Sequence, residues 1–211
     1  DRQRVIRGPG LPAGTVVAIC RRAQHANRKA DATVMDDTPG WLSAIDTYCE
    51  KFNAQWVSTR RHLHQHPELS DAEYQTTEFL SEALDQLGLP THVPGEGRGV
   101  TADLISSPTI AEGPRIALRG DIDALPINDA KIVDYRSQCD GVMHACGHDV
   151  HATVVLGAMQ ILTAMQKDRT LPWPIAVRAL LQPSEEFATG ARHMIHHHAI
   201  RDIDAILALH V

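Results

Sequence analysis

The sequence predicts an α/β fold in which a mostly parallel sheet is flanked by helices. Two nearly unbroken apolar runs, 175–181 and 205–209, have the length of buried strands and end in polar residues. Longer segments such as 149–166 carry apolar residues at helical spacing. Because buried strands that alternate with amphipathic helices are typical of βαβ units, the pattern favours helices packed on the faces of a parallel sheet.

The chain divides into an arm and a domain. Residues 1–38 mix Arg, Pro, Gly, Asp and Thr without periodicity, so we predict an irregular N-terminal arm there. Residues 39–211 are the predicted domain. It opens with a helix that ends before Pro67, since the residue preceding a proline disfavours helical backbone. The apolar positions that indicate this helix are Ile45, Phe52, Trp56 and Leu63.

The remaining elements follow in chain order. Ser70 and Glu73 have the spacing of a capping box, which predicts a second helix that ends near Gly88. The short apolar segments 100–105 and 115–119 predict strands. The long helix, the two buried strands and a short helix over about 189–197 complete the domain.

Composition excludes several classes of partner. With 20 basic and 26 acidic residues the net charge is −6, and no long basic run is present, so we expect neither a nucleic acid nor a membrane surface as partner. No apolar stretch approaches the ~20 residues that span a bilayer. The four cysteines are irregularly spaced, which favours reduced thiols in a cytoplasmic compartment over a disulfide framework.

Polar and sulfur-containing side chains follow the predicted strands where the strands end. The carboxyl ends of parallel strands share one edge of a sheet, and ligands bind at that edge. Convergence of carboxylates, thiol and imidazole there is what a metal site requires. The residues expected to meet are Asp121 and Asp123, Cys146 and His148 in the loop before the long helix, Glu185 and Glu186, and His210.

Each of these clusters also has an ordinary structural interpretation when taken singly. The aspartates could form a turn, and the glutamates could begin a solvated helix. Cys146 and His148 could be a nucleophile pair, although a separation of two residues is a poor geometry for proton transfer between them. His210 could be a core histidine. The run 196–198 is expected at an exposed helix end, because consecutive helical residues face different directions.

Five motifs resemble the M20 amidohydrolases of the hippurate hydrolase and auxin-conjugate hydrolase type. They are RHLHQHPELS at 61–70, LRGDIDALPI at 118–127, MHACGHDVH at 143–151, QPSEE at 182–186 and LHV at 209–211. Their order and spacing agree over about 42–211. The resemblance implies a zinc-exopeptidase-like catalytic domain that hydrolyses N-acyl amino acids or related amino-acid conjugates.

The resemblance also implies a role for each site residue. Two divalent ions, Zn, Mn, Co or Ni, would be held by Cys146 as a bridging thiolate and by His148, Glu186 and His210. Glu185 would be the general base that takes a proton from the attacking water. Asp121 and Asp123 would orient ligands or shape the site. Asp149 and His151 lie in the same motif, and we assign them no direct role.

The chain departs from the family pattern in three respects. It ends one residue after His210, so we expect the lid and dimerisation domain and the C-terminal part of the catalytic domain to be absent. For a full-length form the resemblance allows a homodimer through that lid domain. The alternative function is a truncated, catalytically silent metal-binding or assembly fragment.

The residues 1–38 have no counterpart in the family pattern. His198 stands where family members carry Gly after a helix, which predicts left-handed backbone at a cost of about 1 kcal/mol.

Overall fold

A computed structural model describes residues 39–211, which form a five-stranded sheet flanked by helices. The predicted arm over 1–38 lies outside the described residues. The helices are α1 Gly40–Gln65, α2 Tyr74–Gln86, α3 His148–Lys167 and α4 Gly190–His196, with a 3-10 turn at Pro108–Ile110. The strands are β1 Thr91–His92, β2 Val100–Ile105, β3 Ile116–Asp121, β4 Ala176–Gln182 and β5 Ala205–Ala208. The predicted α/β class with flanking helices is confirmed.

The sheet is mixed, with strand order β1-β2-β4-β3-β5. β3 lies parallel to both β4 and β5, so these three strands end at one edge. β2 runs antiparallel to β4, with Val100 opposite Leu181, and β1 runs antiparallel to β2. The expectation of parallel pairing therefore holds for β3, β4 and β5. The apolar run 100–105 predicts a strand, but a strand's direction depends on the route of the preceding chain and not on its own residues.

The central strands place apolar side chains on both faces of the sheet. In β4, Ala179 and Leu181 belong to the larger core beneath the helices α1, α2 and α3, whereas Leu180 packs in a smaller core with Met194 of α4. This alternation is the period of two that strands impose on their side chains. A strand buried on both faces has no polar face, which explains the nearly continuous apolar sequence of β4.

Helix α1 packs along α3 where a glycine permits close contact. A Cβ at Gly157 would lie 3.1 Å from the Trp56 ring, and the indole N–H of Trp56 donates to Gln160 Oε1 at 2.7 Å. The predicted end of α1 before Pro67 agrees with its last helical residue, Gln65. None of the helices in the described part of the chain is both long and apolar enough to cross a membrane.

The predicted capping box at the start of α2 is wrong. Helix α2 begins at Tyr74, and its N-cap residue Glu73 makes no side-chain capping bond. The Ser70 hydroxyl instead donates to Asp123 Oδ2 at 2.7 Å, and Glu73 Oε1 accepts from the Ser184 backbone N–H at 2.6 Å. Both side chains turn away from the helix because distant segments offer them buried partners.

Candidate metal centre

The segments that follow β3, β4 and β5 lie side by side at the carboxyl edge of the sheet. Asp121 at the end of β3 is aligned with Gln182 at the end of β4, so the two following loops start at the same level. The start of helix α3 packs closely against β3 at this edge because Gly120 of β3 has no side chain. A Cβ at Gly120 would lie 2.7 Å from the His151 carbonyl oxygen of α3. The sequence predicted this meeting of the four clusters, and the structure brings them together.

His148 lies at the centre of the cluster. It is the first residue of α3, and its N-cap Gly147 has left-handed backbone with φ 82°. The His148 side chain is 1% exposed, and Nδ1 donates to the Asp123 carbonyl oxygen at 2.9 Å and to Asp123 Oδ1 at 3.0 Å. This fixes the proton on Nδ1. In the neutral ring Nε2 then carries the lone pair, and this buried atom has no hydrogen-bond partner among the described residues.

Asp123 joins three of the converging segments. Besides His148, its carboxylate accepts from the Ser70 hydroxyl at 2.7 Å and from the Glu186 backbone N–H at 3.0 Å. Burial would raise the pKa of the Asp123 carboxyl, but the hydrogen bonds from His148, the Glu186 amide and Ser70 lower it below its usual range. Asp123 is therefore an anion that fixes both the orientation of the His148 ring and the position of the Glu186 backbone N–H.

The two glutamates after β4 differ in their exposure. Glu186 Oε1 lies 3.8 Å and Glu185 Oε2 lies 3.9 Å from His148 Nε2, and the side chains are 21% and 39% exposed respectively. Glu186 Oε1 is buried, and no group in the described part of the chain forms a hydrogen bond with it. Glu186 is thus turned toward the cluster, while Glu185 lies at its solvent side.

Cys146 and His210 complete a second side of the cluster, with 3.5 Å between Cys146 Sγ and His210 Nε2. The pKa of the Cys146 thiol is raised by burial and by the charges of Glu186, Glu185 and Asp121. Both effects oppose the thiolate unless a cation lies nearby, since a bound metal ion reverses the local electrostatics and deprotonates a coordinating thiol.

His151 is a member of the cluster that the sequence prediction left without a role. It lies one helical turn after His148, on the same face of α3, and its Nδ1 is 3.6 Å from Asp121 Oδ2. Asp121 also forms an ion pair with Arg119, whose Nε donates to Gln182 Oε1 at 2.7 Å. The separation of three residues between the two histidines was the signal in the sequence that could have identified His151.

Other histidine and acidic positions lie outside the cluster. His196 and His198 are exposed at the end of α4, where the prediction placed them. Asp149 is buried, accepts a hydrogen bond from His64 Nδ1 at 2.7 Å and forms an ion pair with Arg60, whose Nε lies 2.9 Å away. Asp149 therefore ties α1 to the start of α3 and does not face the cluster.

The donor atoms fit a divalent transition metal. Within residues 39–211, three sets of side chains each bring their ligand atoms within 4.8 Å of one another, and His148 belongs to all three. Three atoms of these residues, His148 Nε2, His151 Nδ1 and Glu186 Oε1, are buried and have no hydrogen-bond partner among the described residues, which is rare unless an ion or water completes them. A mixture of thiolate, imidazole and carboxylate ligands suits Zn, Co, Ni or Mn. The three sets are Cys146, His148 and His210; Asp121, His148 and His151; and His148, Glu185 and Glu186.

Comparison with known proteins identifies the class. Residues 117–211 match the model of peptidase family M20/M25/M40. The N-acetyl-L-cysteine deacetylase of Bacillus subtilis is 42% identical over 156 residues, which is 74% of this chain and 36% of that protein. The IAA-amino acid hydrolase ILR1-like 6 of Arabidopsis thaliana is 39% identical over 160 residues, 75% of this chain and 33% of that protein. The chain therefore spans about a third of the length of these curated relatives.

Solved structures agree with this class. A dinuclear metal-binding peptidase of the M20 family from Bacillus subtilis superposes with a TM-score of 0.69 and 36% identity, over 76% of this chain and 43% of that one. Human carnosine dipeptidase 1, at 14% identity and a TM-score of 0.57 over 79% of this chain and 40% of that one, shows the fold alone. These matches confirm the predicted family: residues 117–211 belong to peptidase family M20/M25/M40, and the described residues share the fold of a solved M20 structure.

Proposed function

We propose that the protein hydrolyses the amide bond of N-acyl amino acids or related amino-acid conjugates at a centre of two divalent metal ions. The observation that carries this proposal is the unpaired, buried Nε2 of His148, surrounded by a thiol, a second imidazole and two carboxylates. The names of two relatives support the substrate class, since one is a deacetylase of N-acetyl-L-cysteine and the other a hydrolase of IAA-amino acids.

In this proposal the ions would be held by Cys146 as a thiolate, by His148 through Nε2, and by Glu186 and His210. Asp123 holds the proton on His148 Nδ1, so that Nε2 presents its lone pair. Asp121 shapes the site beside His151 and stays paired with Arg119. When bound, the ions supply Lewis acidity that lowers the pKa of water and polarises an amide carbonyl; the metal is Zn, Mn, Co or Ni.

Glu185 is the proposed general base. Its carboxylate is the more exposed of the pair, so it can face a substrate that enters from solvent. Glu185 takes a proton from the attacking water as the new C–O bond forms at the amide carbonyl. It then delivers that proton to the amide nitrogen as the C–N bond breaks, which yields a carboxylic acid and a free amine.

A second function is metal binding or assembly without turnover, because the chain spans about a third of the length of the curated relatives.

For the full-length form we propose a lid domain through which a homodimer forms. We place the protein in the cytoplasm, since a thiolate ligand must stay reduced, and Cys49, Cys139 and Cys146 are free thiols.

The test is amine release from N-acetyl and N-benzoyl amino acids by the Co²⁺- or Zn²⁺-loaded chain. Glu185→Gln should lower the rate by about 10²- to 10⁴-fold while the bound metal remains, and Cys146→Ser should lose metal. Glu82→Gln, an exposed position on α2, is the matched control. A metal-loaded chain that releases no amine would support the second function, and an unchanged rate in Glu185→Gln would remove Glu185 as the base.

A further inference from the structure

Ser184, the residue before the two glutamates, has a backbone conformation that needs support. Its φ is 49°, in the left-handed region that a serine rarely adopts. The Ser184 carbonyl accepts from the backbone N–H of Thr189 at 3.3 Å and of Gly190 at 3.1 Å, which closes the loop 183–190 around Glu185 and Glu186. The conformation of Ser184 therefore determines the direction in which the side chains of Glu185 and Glu186 project from the backbone.

Ser184 is held on its backbone and on its side chain. The Ser184 N–H donates to Glu73 Oε1 at 2.6 Å. The Ser184 hydroxyl oxygen accepts from Arg98 Nη1 at 3.1 Å and from the Asp71 backbone N–H at 2.9 Å, and the hydroxyl donates to Asp71 Oδ1 at 2.8 Å. We call Asp71, Glu73 and Arg98 together the Ser184 clamp. None of the three belongs to the ligand sets of the metal centre.

Two of the three clamp side chains, Glu73 and Arg98, are buried charges, whereas Asp71 lies at the surface. Glu73 is 0% and Arg98 is 6% exposed, and Glu73 Oε2 lies 3.5 Å from Arg98 Nη1. Arg98 also pairs with Asp71 at 2.6 Å and with Glu96 at 2.8 Å. Burial of such groups is costly unless each has a partner. Glu73 comes from the segment before α2 and is separated from Ser184 by 111 residues, so the contact has no role in local helix capping.

We propose that Glu73 and Arg98 are positioning residues that hold Ser184 left-handed and so direct Glu185 and Glu186 toward His148. Glu73 restrains the backbone N–H and Arg98 restrains the hydroxyl, so that both ends of the residue are fixed. The inference rests on the proposed function where it concerns metal binding. The restraint on the loop itself does not depend on a metal.

The first test measures hydrogen–deuterium exchange of the metal-free chain by mass spectrometry. In Glu73→Ala the amides of 184–190 should exchange at least about tenfold faster, because Ser184 loses its acceptor, while those of β3 keep their protection. Glu73→Gln should resemble the wild type, because its amide oxygen still accepts from Ser184 N–H. Ser184→Ala, a smaller change, should give an intermediate increase. Exchange in Glu73→Ala within twofold of the wild type would overturn the clamp, as would equal effects of the Ala and Gln variants.

The second test measures Co²⁺ binding by its visible absorption. We expect the dissociation constant to rise about tenfold in Glu73→Ala and the d–d bands to change as Glu186 withdraws, while the thiolate-to-cobalt charge-transfer band of Cys146 persists. Glu82→Ala, exposed on α2, should match the wild type. Faster loop exchange with unchanged cobalt affinity and spectrum would overturn the positioning role. A wild-type chain that binds no Co²⁺ would overturn the proposed metal centre, and the exchange data would then decide the clamp alone.

Discussion

Replacement of Asp123 by Asn tests how the His148 ligand atom is set. An Asn side chain has the shape of Asp but only one acceptor oxygen, whereas Asp123 accepts from His148 Nδ1, the Ser70 hydroxyl and the Glu186 N–H. The hydroxyl of Ser70 can rotate to accept, but the Glu186 amide cannot. The Asn oxygen is therefore expected on the side of Glu186, and its NH₂ group faces His148.

This arrangement has two measurable consequences. A buried hydrogen bond to a charged group contributes about 1.5–3 kcal/mol, so Asp123→Asn should lower the free energy of unfolding by about 2 kcal/mol. An NH₂ group beside His148 Nδ1 repels the proton on that nitrogen and leaves it only the Asp123 carbonyl oxygen as acceptor, so the balance moves toward the tautomer with the proton on Nε2, which lacks the lone pair needed for a ligand. Metal affinity should then fall by about 10- to 100-fold, the range found when an outer partner of a histidine ligand is lost.

The two effects are measured by urea denaturation of the metal-free chain and by Co²⁺ titration. Ser70→Ala is the matched control, because it removes one hydrogen bond to Asp123 without changing the partner of His148. That variant should lose about 1 kcal/mol of stability and keep its cobalt affinity within threefold. If Asp123→Asn also keeps its cobalt affinity within threefold, the argument that Asp123 sets the His148 tautomer is refuted.

Three further predictions concern stability. Asp129→Asn should lose roughly 2 kcal/mol at pH 7, because hydrogen bonds and a nearby lysine overcome burial and lower the pKa of Asp129 to about 2. The stability from Asp129 is present above its unfolded pKa and is lost as the pH falls toward 2, so urea curves of variant and wild type should converge there. Gly190→Ala should prevent normal folding, because its Cβ would lie 1.5 Å from the Pro183 carbonyl oxygen. Gly40→Ala is the control, since a Cβ there meets nothing within 4 Å. Circular dichroism and thermal melts compare the two variants. His198→Gly should raise the free energy of unfolding by about 0.5–1 kcal/mol in urea, because His198 has φ 59°.

Each of these has an outcome that contradicts it. A stability difference for Asp129→Asn that persists undiminished at pH 2 would show that the loss is not electrostatic. A folded Gly190→Ala with a wild-type melting temperature would mean that the loop 183–190 can shift freely. A destabilised His198→Gly would mean that the side chain of His198 contributes more than its backbone conformation costs.

The sequence by itself determined the α/β class, the main helices and strands, and the edge of the sheet at which the chemistry gathers. These features are determined by residues that lie close together in the sequence. The helices α1 and α3 follow from apolar residues at helical spacing, and the strands β4 and β5 follow from unbroken apolar runs. Polar residues at the ends of parallel strands meet because of sheet geometry. Cys146, His148, Glu186 and His210 could therefore be predicted to lie close together.

Only the tertiary structure decided which partners the buried polar groups would take. Ser70 and Glu73 have the spacing of a capping box, yet they bond to Asp123 and Ser184, because a buried partner elsewhere stabilises more than a solvated helix end. The antiparallel direction of β2 likewise depends on the path of the chain. These two contacts join residues 53 and 111 positions apart, and a local pattern carries no information about which distant group will lie within reach.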